Sequence, residues 1–154
     1  MDIIHLLTAN DHNAAYNLLL ALEATSAESN RFYPCFDAFL GLLSHPNAYV
    51  RTRGFRLCCA QARWDLEGKL DAHLPELLAV LPNAKPTALR QALTALTNVV
   101  HYQPALGSRV EETLSGLDLS QYKDSMRPLL QQDIARLCNQ IHSLLPSKNR
   151  EQIQ

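Results

Sequence analysis

An apolar residue followed by arginine recurs three times along the chain, at Val50-Arg51, Leu89-Arg90 and Met126-Arg127. The arginines stand 39 and 37 residues apart. Each pair opens a run of small or apolar residues at helical spacing: Gly54, Leu57 and Cys58; Ala92, Leu93 and Leu96; Leu129, Leu130 and Ile134. Each is preceded by another apolar stripe, Phe36/Phe39/Leu43, Leu74/Leu78/Leu81 and Val110/Leu114. A degenerate copy at Ala14-Ala15-Leu18-Leu19 precedes the series. A period of this length is that of paired helices, each unit burying its apolar face against the next.

Composition points the same way. The chain holds 28 Leu and 18 Ala against 10 Val and Ile together, so helix formers dominate β-branched residues. No segment alternates with period two, and five glycines leave little for hairpin turns. The spacing predicts helices over about 10–24, 32–43, 47–62, 70–81, 86–101, 104–114 and 124–145. Prolines 46, 86 and 128 sit where a first helical turn tolerates them. Asp124-Ser125 is a candidate N-cap for the last helix. Pro75 either kinks its helix or opens it.

The segment His45-Pro46-Asn47-Ala48-Tyr49-Val50-Arg51 carries a resemblance. With the later copies, it resembles HEAT and armadillo-type repeats, whose second helix opens on a Val-Arg pair. Two further stretches are similar to small HEAT-like bacterial proteins labelled as SufB/SufD-related. They run from Tyr49-Val50-Arg51-Thr52-Arg53-Gly54 through Arg63-Trp64-Asp65, and over Tyr122-Lys123-Asp124-Ser125-Met126-Arg127-Pro128-Leu129. The resemblance spans about residues 10–145. Together with the period it predicts an all-α, HEAT-like/armadillo-type right-handed superhelix of about seven to eight helices. Residues 1–146 are expected to form one domain, with 147–154 a polar tail. It also implies that Arg51, Arg90 and Arg127 are structural, each reaching a polar partner in the next repeat. Asn47 and Pro86 stand where the family places an aspartate before the arginine.

Charge is unevenly spread. Residues 49–91 hold seven Lys/Arg and four Asp/Glu, whereas residues 1–48 hold one and five. On a wheel of about 100° per residue, Arg53, Arg56 and Arg63 share one side with Tyr49 and Trp64. This reads as a basic, aromatic-edged ridge, ended by Asp65. Arginine and aromatics are enriched at binding hot spots, so Tyr49, Arg53, Arg56, Arg63, Trp64 and Asp65 form the expected binding set. A solvated helix face is the competing reading.

Motifs for catalysis are missing: there is no H-E-x-x-H, G-x-S-x-G or glycine-rich phosphate loop. The six histidines are scattered, and His73 and Glu76 are separated by a proline. Cys35, Cys58, Cys59 and Cys138 lack metal-ligand spacing and read as apolar fillers of a reducing compartment. No metal or cofactor is therefore expected, and no membrane span or signal peptide is visible. The expectation is a non-catalytic, cytoplasmic, protein-binding adaptor or scaffold whose partner carries an acidic segment. The alternative is a nucleic-acid-binding protein resembling the HEAT-like DNA alkylation-repair proteins. A net charge of −1 counts against it, because phosphate neutralisation needs more cations.

Overall fold

The computed structural model describes residues 2–144; the expected tail at 147–154 lies outside the described residues. The chain is all-helical, with no strand among those residues. Its α-helices are α1 (Ile3–Thr8), α2 (His12–Glu28), α3 (Phe36–Gly41), α4 (Ala48–Ala60), α5 (Lys69–Leu78), α6 (Pro86–Tyr102), α7 (Gly107–Ser115) and α8 (Arg127–Ser143). Contacts group the chain into two compact units, Met1–Val80 and Leu81–Gln154.

In the first unit, side chains close the helix starts. Asp2 accepts from the Ile4 N–H, Asp11 from Ala14 and Asn47 from Tyr49, satisfying donors that a helix start leaves unpaired. Pro34 favours the single 3₁₀ turn Tyr33–Cys35, which leads into the short α3. Helix α4 packs against α1, α2, α3 and α5, and its buried residues include Val50, Gly54, Phe55, Leu57, Cys58 and Cys59. At Gly54 the approach to α3 is close. A Cβ there would lie 2.6 Å from the Leu42 Cβ and 2.7 Å from the Phe39 carbonyl oxygen. Helix α5 begins after Gly68, whose φ of 70° is a left-handed conformation that glycine adopts without a Cβ penalty. Pro75 lies inside α5 rather than at its start.

The second unit repeats the order of the first. A 17-residue helix (α6) is followed by a proline-bearing 3₁₀ turn (Pro104–Leu106), a short helix (α7), another 3₁₀ turn (Leu119–Gln121) and a long helix (α8). In the first unit α2, Tyr33–Cys35, α3, Leu42–Ser44 and α4 follow the same order. Helix α6 packs on α8, with Leu89, Leu93, Leu96, Leu130, Leu137 and Ile141 buried. An ion pair clasps the first and last long helices in each unit. Glu23 of α2 holds Arg56 of α4, and Arg90 of α6 holds Asp133 of α8 at 2.7 Å. Glutamines repeat the theme: Gln61 donates to the Ser26 hydroxyl at 3.0 Å, and Gln140 to the Thr97 carbonyl at 2.9 Å.

The three repeat arginines are not equivalent here. Arg51 is the fourth residue of α4, Arg90 the fifth of α6 and Arg127 the first of α8. Arg51 folds back onto the carbonyls of His45 and Pro46, both at 2.9 Å. Only Arg90 reaches a later helix; Arg127 pairs with Asp124 just ahead of its own. Asp124 is thus occupied as an ion-pair partner. The residue preceding α8 is Met126, which gives no side-chain cap.

Candidate binding surface

Neither α1 nor α2 carries Lys or Arg in its last turn, and helix ends leave carbonyls that need donors. The basic stretch expected to form an exposed binding ridge supplies them. Arg53 donates from one terminal nitrogen to the Leu7 carbonyl of α1 at 2.8 Å, and from the other to the His12 Nδ1 at 2.8 Å. Arg63 donates to the Ala27 carbonyl of α2 at 2.9 Å. The Trp64 indole N–H donates to the Ser26 carbonyl at 2.6 Å. A cation at a helix C-terminus also meets the negative end of the macrodipole.

The expected exposed ridge, as a binding surface or a solvated face, therefore needs correction. Arg53 is only 4% exposed, and burial alone lowers its pKa. Arg56 lies on Glu23 in a two-pronged pair at 2.6 and 3.0 Å, with its guanidinium 5.7 Å from the Tyr16 ring centre. Burial opposes its charge, but the Glu23 carboxylate prevails and raises its pKa. Bidentate arginine–carboxylate pairs are among the strongest hydrogen-bonded contacts. Of the three ridge arginines only Arg63 stays exposed, stacked 4.6 Å from the Trp64 ring centre.

Asp65 is buried and fully engaged. One oxygen accepts from the Tyr33 hydroxyl at 2.6 Å and the Lys69 N–H at 2.8 Å; the other accepts from the Leu70 N–H at 2.9 Å. It joins the turn before α3 to the start of α5, with both oxygens engaged inside the unit. Burial and this carboxylate together push the Tyr33 phenol above its ordinary range.

Tyr49 also stands largely in water, at 68% exposure. Its ring packs against His12 with centres 5.1 Å apart. His12, Tyr16 and Leu20 recur every four residues on α2 and so share a face. Tyr16 and Leu20 are more than two-fifths exposed. The resulting row is Tyr49, His12, Tyr16 and Leu20, with the Glu23–Arg56 pair alongside and Arg63 at the far end of the helix. Residues 12 to 20 span about 12 Å at 1.5 Å per residue. The 12/16/20 spacing is present in the sequence beside the apolar stripe Ala14, Ala15, Leu18, Leu19 and Leu22, of which Ala15, Leu19 and Leu22 are buried while Ala14 is exposed.

Burial drives the Cys58 and Cys59 thiols well above their ordinary range, so they are chemically quiet. No group of three or more His, Cys, Asp or Glu among the described residues could hold a metal ion. No described helix is long and apolar enough to cross a membrane. Comparison of the chain with protein-family profiles, curated proteins and solved structures yields no match.

Proposed function

We propose that the chain is a non-catalytic protein-binding module of HEAT-like type, contacting its partner through the α2 row of Tyr16 and Leu20 with Tyr49 of α4. The observation that carries this reading is the contrast between charge and apolar surface on one face. Arg53 and Arg56, the cations a phosphate backbone would need, are engaged inside the unit. Tyr16, Leu20 and Tyr49 are the side chains left exposed beside them. Exposed tyrosines and a leucine in a row are features of protein contact surfaces. Arg63 has no carboxylate partner among the described residues and is placed to meet an acidic residue of the partner. Four free cysteines, two of them buried side by side, suit the reducing cytoplasm.

The test is retention of partners from a nuclease-treated lysate by wild-type protein and by Leu20→Glu and Tyr49→Ala variants. The expected result is nuclease-resistant complexes lost in both variants, whose circular dichroism matches wild type. Loss of all partners on nuclease treatment would favour the nucleic-acid alternative. Complexes indifferent to both substitutions would remove this surface from the proposal.

A further inference from the structure

We infer that α1 is an acid-released strap, held in place by the contact between Arg53 and His12. The inference is independent of the binding reading and follows from donor and acceptor chemistry. A guanidinium has only donors, so the His12 Nδ1 that it meets at 2.8 Å must be an acceptor. Nδ1 is an acceptor only in the neutral imidazole with its proton on Nε2. Protonation makes Nδ1 a donor and sets an imidazolium against a guanidinium at hydrogen-bond distance. Arg53 has no carboxylate partner among the described residues to hold it against that repulsion. Its other acceptor is the Leu7 carbonyl, near the end of α1.

Other charged groups nearby do not cancel the effect. From α4, Arg53 and Tyr49 meet His12. On its own helix, Asp11 precedes it as the N-cap and Tyr16 follows one turn later. On α1, Asp2 is engaged with the Ile4 N–H, and the remaining titratable side chain is the exposed His5.

Helix α1 has six residues, far too few to be stable alone. It is held by the buried Leu7 side chain, by packing on α2 and α4, and by the Arg53 hydrogen bond to its last turn. Protonation of His12 sets Arg53 against a second cation and so loosens the last of these. The release uncovers the Leu7 seat on α2 and α4.

The test is hydrogen exchange of α1 amides at pH 7.5 and pH 5.5, corrected for intrinsic exchange rates. The expected result is a severalfold loss of α1 protection at pH 5.5, up to about tenfold for a single proton, with α2 and α4 still protected. His12→Asn places an amide oxygen near the Nδ1 position and should keep α1 protected at both pH values. Arg53→Met removes the cation, so whatever protection α1 retains should not change with pH. His5→Asn and His45→Asn should release α1 as wild type does; His45 is included because its Nδ1 accepts from the Asn47 N–H. Equal α1 protection at both pH values in wild type would overturn the inference. So would acid release that persists in His12→Asn or Arg53→Met or vanishes in His5→Asn or His45→Asn, or loss of protection across the whole unit.

Discussion

Replacing Gly54 by alanine should destabilise the first unit by about 2 kcal/mol, although alanine is the better helix former. The intrinsic gain is about 1 kcal/mol in a helix interior. Against it, the new methyl would sit 2.6 Å from the Leu42 Cβ and 2.7 Å from the Phe39 carbonyl oxygen. Neither atom is the end of a flexible side chain, so α3 and α4 must part. Overpacking of this kind costs about 1–3 kcal/mol, and backbone resistance puts Gly54 at the upper end. Two other glycines serve as internal standards. At Gly107 the obstacle is the Ile141 Cγ2 at 2.8 Å, a side-chain methyl that can shift, so alanine should be close to neutral. Gly41 has nothing within 4 Å, so alanine there should stabilise by about 0.4–1 kcal/mol. Urea unfolding followed by Trp64 fluorescence reads Gly54 and Gly41 in the first unit, which contains the chain's single tryptophan, and circular dichroism reads Gly107 in the second. With a slope of about 2 kcal/mol per molar, the Gly54→Ala midpoint should fall by about 1 M. A Gly54→Ala midpoint at or above that of Gly41→Ala would refute the steric argument.

Asp65→Ala should lower stability by about 3 kcal/mol in the same assay, because it strands the Tyr33 hydroxyl and two backbone N–H groups. The raised phenol of Tyr33 contributes stability that is full below the unfolded-state value of about pH 10 and is lost as pH climbs beyond it. Tyr33→Phe should therefore lose part of the alkaline destabilisation seen by fluorescence-detected unfolding. A thiol reagent at pH 8 should leave Cys58 and Cys59 unmodified in the native protein and modify them in denaturant, as mass spectrometry would show. Arg53→Glu should unfold the first unit, since it buries a carboxylate against the Leu7 carbonyl; native-like circular dichroism would contradict that.

The long helices were legible because leucine and alanine recur at helical spacing and because Asn47, Pro86 and Pro128 mark starts. Helix α1 went unpredicted, since Ile3–Thr8 covers too few turns to show a period. The arginine recurrence was real as sequence, yet the three residues take different positions in their helices and different partners. Local order, with a long helix, a proline turn, a short helix and a long helix, recurs at roughly twice that spacing. The basic ridge was misread because a wheel gives directions around one helix and not what lies outside it. Helix α4 has neighbours in α1, α2, α3 and α5, so the arc read as exposed to a partner or to water faces the protein itself over much of its length. Small or apolar residues at Gly54, Phe55, Leu57, Cys58 and Cys59 were a hint, since a helix apolar nearly all round is a buried one.

The arginine and tryptophan hydrogen bonds to the ends of α1 and α2 bear on how the first unit assembles. The final turns of these helices are completed by Arg53, Arg63 and Trp64, between 36 and 46 residues further along the chain. Local caps serve the Leu6 and Thr25 carbonyls, but those of Leu7, Ser26 and Ala27 wait for these distant donors. The last turns of α1 and α2 become favourable only once α4 and the turn after it have docked, and those arginines lose water only when the carbonyls are there to receive them. Each half of the bargain waits for the other, which couples distant segments into one transition. Partly folded forms with α2 complete and α4 absent are disfavoured, and α2 and α4 should unfold as a single cooperative block.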